Sequence, residues 1–302
     1  MSQPLVYTVI LNTNRRDDTL ECIASLNDNS YERNTILVLD NQSSDGSVEA
    51  IQARFPQVKI IDLETNRGYA GNNNVGIAYA LDQGADWIFV LNEDTVLAPD
   101  SLEMLVKAGE SDPEIGIVGP MVYHYHTPDV IQSAGGVLGP YWDSIHLGRD
   151  QKDRGQYSEI HEVEWISGCA ILLRREAILQ AGSIDERFFY FWEETEWCIR
   201  IRRANWKIIN VPQAKLWHKG VTVDHKPKPT VTYYATRNHL LTLAKHHAPF
   251  RVWASAWVQL LRTLTSWTIK PRWRNMHEHR DAMWYGIVDF LHGRWGQMPN
   301  RS

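Results

Sequence analysis

A chain of 302 residues, 43% hydrophobic and 22% charged, has the composition of a globular protein able to bury a sizeable core. Its three widely spaced cysteines, Cys22, Cys169 and Cys198, supply neither a disulfide framework nor a zinc motif, which points to a reducing compartment. The net charge of −5 joins two opposed parts: residues 220–302 hold 12 Lys and Arg against 4 Asp and Glu, so the acidic excess lies before them and a boundary is expected near Gly220.

Val6–Leu11 reads as a first buried strand, followed by a helix over Asp17–Leu26. Thr35–Leu39 is a second strand, ending in Asp40-Asn41-Gln42-Ser43 before a helix to Phe55. Val58–Leu63 is a third, followed by an Asn-rich loop over Asn66–Asn74 and a helix to Gln83. Trp87–Leu91 is a fourth, stopping at Asn92-Glu93-Asp94-Thr95 before a helix from Ser101. Strands alternating with helices imply right-handed crossovers and a mostly parallel sheet, an α/β fold with helices on both faces. The polar loops then share one sheet edge, where such folds bind ligands.

After Pro113 the pattern shifts to shorter strands near Gly116–Tyr123 and Ile131–Leu138. Gly139–Glu159 reads as a polar, mobile loop. Strands follow at Val163–Ile166 and Ala170–Leu173, then an aromatic run opens a helix from Trp192 through Arg203. Two short strands surround Lys207–Val211 and Lys215–Trp217. The rest is helical; no run reaches the roughly 20 apolar residues that span a bilayer, and the N-terminus lacks a signal-peptide layout. A cytoplasmic location is expected.

Several polar groups fall at the strand ends. Asp94 offers hard oxygen ligands suited to Mg²⁺ or Mn²⁺ carrying a diphosphate, although NED alone reads more readily as an acidic turn capping the next helix. Asp40 either accepts hydrogen bonds from a nucleoside or caps the following helix with Ser43. Gly68 and Gly71 let backbone approach a ligand, or simply build a turn. Glu193, Glu194 and Glu196 sit in a first helical turn, where carboxylates favour the helix dipole. Apolar surroundings would also raise their pKa and suit one of them to general-base work. His218 is either structural or a metal ligand.

Together VILNTNRRDDTLECIASL, LDNQSSDGS, NRGYAGNNNVG, FVLNEDT, FFYFWEETEWCIRIRRANW and LWH resemble the family-2 glycosyltransferases, inverting enzymes of GT-A fold, over residues 5–220. Among these the chain looks most like bacterial rhamnosyltransferases of surface polysaccharide synthesis. The resemblance implies a GT-A domain over 1–220 and a basic, Trp-rich helical extension over 221–302. It implies a nucleoside pocket lined by Asn12, Asp40 and Asn41, and a donor track of Asn66, Gly68, Asn72 and Asn92. It further implies Mn²⁺ or Mg²⁺ held by Asp94 and His218, and Glu194 as general base with Glu193 beside it. The sequence departs from the family pattern at Asn92, which replaces the first acid of the metal motif, and at Glu194, which replaces aspartate. Those departures keep a catalytically inactive carbohydrate-binding relative as an alternative. A sugar nucleotidyltransferase is another, though LNTNRRDD lacks the glycines of its phosphate loop.

The implied partners are a nucleoside-diphosphate sugar and a glycan or lipid-linked glycan acceptor, with no nucleic acid. In the tail, Trp253, Trp257, Leu260, Leu261, Leu264 and Trp267 form one helical face among arginines. Residues 249–274 are therefore expected to touch the inner face of the cell membrane, or else to pack on the catalytic domain or in a homodimer.

Overall fold

The computed structural model describes residues 3–220 and 228–299; residues 221–227, just past the expected boundary, lie outside them. Four apolar runs form the parallel strands β1 (Val6–Asn12), β2 (Asn34–Asp40), β3 (Lys59–Asp62) and β4 (Trp87–Asn92), in the order β3-β2-β1-β4. They are linked by α1 (Arg16–Asn27), α2 (Ser47–Arg54) and α3 (Gly68–Asp82), and their polar ends share one edge.

Strand alternation divides the core in two. Val6 and Ile10 of β1 point to one face, where Cys22 and Ile23 of α1 and Ile51 of α2 cover them. Tyr7 and Val9 point to the other, covered by Ala70 and Ile77 of α3. Each such side chain taken fully from water contributes about 1.5–3 kcal/mol, which makes a register slip prohibitive.

Beyond β4 lie β5 (Thr95–Leu97), α4 (Ser101–Glu110), β6 (Ile115–His124), β7 (Thr127–Ser133) and β8 (Gly136–Leu138). The polar stretch expected to be a mobile loop instead carries β9 (Ser144–His146), paired with β8, and β10 (Gln151–Lys152), paired with β7. Backbone pairing satisfies its polar groups, a signal that composition conceals. The strand expected at Val163–Ile166 is displaced: β11 is His161–Glu162, and Trp165 makes only an isolated bridge to Gly136.

β12 (Ala170–Arg174) inserts antiparallel between β4 and β6. Next come α5 (Arg175–Ala181), α6 (Glu193–Arg203) and β13 (Lys207–His218). The last merges the two strands expected there, with an irregularity between Val211 and Lys215. It runs parallel to β6 and, at its end, antiparallel to β5, which sets His218 opposite Thr95. Two distant sequence motifs therefore meet.

The tail forms α7 (Pro229–Lys245), with proline at the position that spares an unused N–H, then α8 (Phe250–Ile269), a 3₁₀ segment Pro271–Met276 and α9 (His277–Leu291). Trp253, Trp257, Leu260, Leu264 and Trp267 of α8 pack against Leu240 of α7 and Met283 and Ile287 of α9. The Trp-bearing stripe expected to meet a membrane is thus mostly turned inward. Leu261 alone of the six is exposed. No described helix is long and apolar enough to cross a membrane.

Candidate active site

At the polar edge a cleft of about 430 Å³ is lined by Thr13, Arg15, Asn41, Asn66, Gly68, Tyr69, Asn72, Asn92, Glu93, Asp94, Tyr190, His218, Gly220 and Tyr234, among others. Every expected donor residue except Asn12 and Asp40 is in that wall. Asn12 is fully buried behind it. Its amide donates to Asp40 Oδ1 at 2.7 Å and to Ser43 Oγ at 3.0 Å, and its oxygen accepts from Thr19 at 2.8 Å. Asp40 Oδ2 accepts from the Ser43 amide at 2.9 Å, so it closes its own loop rather than capping α2. This lattice fixes the β1 and β2 ends and presents Asn41, whose buried Oδ1 has no partner.

The Asn-rich segment is helix rather than loop, because side chains satisfy the first turn of α3. Asn66 Oδ1 accepts from the Gly68 amide at 2.8 Å, and Asn72 Oδ1 from the Arg67 amide at 2.9 Å. Gly68 has φ +72° and the Phe189 ring and carbonyl where a Cβ would stand, so any other residue would be strained and would collide.

Asp94 and His218 converge. His218 Nε2 lies 3.1 Å from Asp94 Oδ1, yet that buried oxygen has no aligned donor. His218 Nδ1 stands 3.0 Å from Gln132 Oε1 of β7. An amide oxygen only accepts, so Nδ1 carries a proton and Nε2 is the atom that faces the carboxylate. At that separation the two call for a cation between them, a proton on Nε2 or a metal ion. Burial works to raise the Asp94 carboxyl, but His218 and Arg15 outweigh it and hold it below its ordinary value. A Cβ on Gly220 would enter the space between them, meeting Asp94 Oδ2 and lying 3.2 Å from His218 Nε2. These features fit a divalent ion. Among the described residues no three His, Cys, Asp or Glu are grouped for a metal, so ligands from outside the protein would have to complete the coordination. Beside Asp94, burial pushes the Glu93 carboxyl up to about 8, with the Asp94 charge adding to it.

The second acidic pair heads α6. Glu193 is buried, with Oε2 unpartnered; Glu194 is partly exposed. Burial raises both carboxyls, and Glu194 adds to the rise at Glu193. Glu196 pairs with Arg200 one helical turn on at 3.0 Å, and also with Lys245 and His246. Those partners exhaust it. The cleft residue Tyr190 feels Glu193, Glu194, Asp94 and Glu93 together; burial and then those charges raise its phenol. Neither Glu193 nor Glu194 lines the cleft itself; Glu194 lies just behind it, since a Cβ on Gly168 would stand 3.5 Å from both the Glu194 side chain and the hydroxyl of the cleft residue Tyr69.

Residues Phe188–Trp192 deliver the pair. Phe189, Phe191 and Trp192 adopt φ of +62°, +70° and +74°, uncommon for bulky side chains and held here by surrounding contacts. Tyr234 of α7 stacks on Phe189, centroids 5.6 Å apart. Sequence reading missed Arg15, Gln132, Tyr69, Tyr234 and Gly220. The adjacent glycine in LWHKG was a usable signal for the last; Gln132 and Tyr234 reach the site only through tertiary contacts.

The description of glycosyl transferase family 2 matches residues 7–181. N-acetylglucosaminyl-diphospho-decaprenol L-rhamnosyltransferase of Mycobacterium tuberculosis H37Rv is 31% identical over 240 residues, 72% of this chain and 77% of that one. The dTDP-rhamnosyl transferase RfbF of Shigella flexneri is 25% identical over 81% of each chain. Among solved structures, the mannosyltransferase PcManGT of Pyrobaculum calidifontis with GDP-Man and Mn²⁺ superposes with a TM-score of 0.61 at 14% identity, over 97% of this chain and 89% of that one. GalNAc-T7 with UDP, GalNAc and Mn²⁺ gives 0.64 at 14% identity, over 80% of this chain and about half, 48%, of the other. Sequence match, sheet order and the convergence of the strand-end motifs agree: the chain belongs to glycosyl transferase family 2.

Proposed function

We propose that this enzyme moves a sugar, rhamnose by likeness to its relatives, from a nucleoside-diphosphate donor to a hydroxyl of a lipid-linked glycan, inverting the anomeric carbon. The observation that carries the reading is that Glu194 lies beside Tyr69, a residue in the wall of the cleft that holds the Asp94–His218 pair. Asn41 and the start of α3 would receive the nucleoside and sugar. Asp94 and His218 would hold Mn²⁺ or Mg²⁺, an ion that supplies charge neutralisation for the departing diphosphate.

Glu194 would take the proton from the acceptor hydroxyl as that oxygen attacks the anomeric carbon opposite the leaving group. Its partial exposure lets it reach a bound acceptor, whereas Glu193 is enclosed. The diphosphate leaves with the bonding pair, and one displacement inverts the centre. Incubation with dTDP-, UDP- and GDP-sugars and a lipid-linked glycan, with Mn²⁺ or Mg²⁺, should release nucleoside diphosphate and lengthen the acceptor. Release of pyrophosphate would indicate a nucleotidyltransferase; donor binding without turnover would indicate a lectin-like relative.

The tail supports contact with an anionic membrane, through another face than the tryptophan stripe. Phe250, Val258, Leu261 and Ile269 lie along the exposed side of α8. Arg251, Arg262, Lys270, Arg272 and Arg274 accompany them, and Phe250–Met276 contains no Asp or Glu. Apolar side chains would enter the headgroup boundary while the cations meet lipid phosphates. Vesicles rich in phosphatidylglycerol should retain the protein at low salt and release it as salt rises, and Leu261→Ser with Ile269→Ser should weaken retention. Indifference to such vesicles at low salt rejects the contact.

A further inference from the structure

We infer that Asn238 and Arg237 of α7 are positioning residues for the general base, acting through the backbone of the aromatic loop; the inference rests on Glu194 filling that role. Asn238 donates through Nδ2 to the carbonyls of Phe188, Tyr190 and Phe191 at 2.8, 2.8 and 2.7 Å. Its own oxygen accepts from Arg237 Nε at 3.0 Å, which orients the amide. Arg237 is fully buried, an uncommon place for a guanidinium. It donates to the carbonyls of Arg187 at 3.2 Å, Phe188 at 3.0 Å and Gly296 at 2.7 Å, and its Cζ lies 5.2 Å from the ring centres of Tyr233 and Tyr234.

Two adjacent side chains on one helix thus hold four consecutive-region carbonyls, Arg187, Phe188, Tyr190 and Phe191, directly before Glu193. The same loop contains three aromatic residues with positive φ. An extended or helical run of Phe-Tyr-Phe-Trp would be the relaxed state, so the observed path persists only while something fixes its carbonyls. Donors aimed at the backbone rather than at side chains fix the turn whatever the rings do. On the opposite side the Phe189 carbonyl accepts from the Ala70 amide at 3.3 Å, and Phe189 presses on Gly68. The loop is held between the donor-side helix α3 and the tail helix α7, and its end sets the direction in which Glu194 projects. The metal and nucleoside contacts should survive loosening the α7 side, because Asp94, His218 and Asn41 make no contact with Asn238 or Arg237 among the hydrogen bonds described; Phe189 and Tyr190 of the loop do line the cleft, so a small change in donor KM is expected.

The test compares wild type with Asn238→Ala and Asn238→Asp, the second keeping the shape while removing the donor. Hydrogen exchange followed by mass spectrometry should show faster exchange confined to about residues 186–196. The kcat should fall about 10²-fold, with a much smaller rise in donor KM and metal-dependent nucleoside-diphosphate affinity within about twofold. Arg237→Ala should behave likewise and regain turnover when guanidinium ion is added to fill the vacated site. Unchanged exchange in both Asn238 variants overturns the clamp. Altered exchange with unchanged kcat shows that the loop moves but does not orient the base, and overturns the positioning role. A loss in donor KM equal to that in kcat would make Asn238 merely structural. Should Glu194→Gln remain active, the base assignment itself fails, an outcome the exchange data tell apart from failure of the clamp.

Discussion

At the scale of single residues, the site is defined by groups left without partners. Asp94 Oδ1 and Glu193 Oε2 are buried and unsatisfied, each an expense of roughly 1–3 kcal/mol that a purely structural surface would have shed. Gly220→Ala puts a methyl where Asp94 and His218 converge. It should abolish the metal-dependent part of nucleoside-diphosphate affinity by calorimetry while leaving the melting temperature within a few degrees. For the base, Glu194→Gln retains shape without proton affinity, and turnover should drop about 10²–10⁴-fold. Since burial raises the Glu194 carboxyl, kcat/KM should climb with pH along a limb displaced above the ordinary Glu value of 4.5. Glu193 predicts an opposite trend in stability. A carboxyl raised in the folded state binds more protons folded than unfolded, so it opposes folding increasingly as pH rises above 4.5. Glu193→Gln should therefore stabilise the protein at neutral pH, with a gain in thermal midpoint that vanishes toward pH 4.

At the scale of elements, α8 offers a direct comparison. Leu264 packs inward on α7 and α9, whereas Leu261, three residues earlier, is exposed. Leu264→Ala should cost about 2 kcal/mol in denaturant unfolding and Leu261→Ala within about 0.5. Equal costs would mean that the helix is rotated from the orientation described. Three of the parallel strands, β1, β2 and β4, were legible because both their faces are largely buried, leaving apolar runs such as WIFVL and ILVL. β9–β11 were not, since two- and three-residue strands carry too few side chains to establish a period. The face of α8 was misjudged for a similar reason. A stripe of large apolar residues specifies burial, but protein and lipid satisfy it equally. Of the site, NED, LWH and the glutamates were readable from type and spacing. Asn12 and Asp40 were read as reaching the ligand, when their hydrogen-bonding capacity is largely spent on each other and on Ser43.

At the scale of the whole molecule, the residues after 228 are bound into the catalytic region. Tyr234 lines the cleft, and α7 satisfies the carbonyls of the loop before α6. A chain ended at Gly220 should accumulate as aggregate or show a sharply lowered thermal midpoint, because Phe189 and Phe191 lose their covering and those carbonyls their donors. A soluble, active product of that truncation would contradict the packing described. The position of β12 has a further consequence, for synthesis. It is the neighbour of β4, yet it follows β4 in the sequence by roughly 80 residues. At about 5–20 residues per second, the edge of β4 waits on the order of 4–16 s on the ribosome before its partner emerges. During that interval an apolar, buried strand of the sheet presents an open row of backbone donors and acceptors, so nascent chains halted between β4 and β12 should be the ones that chaperones hold longest.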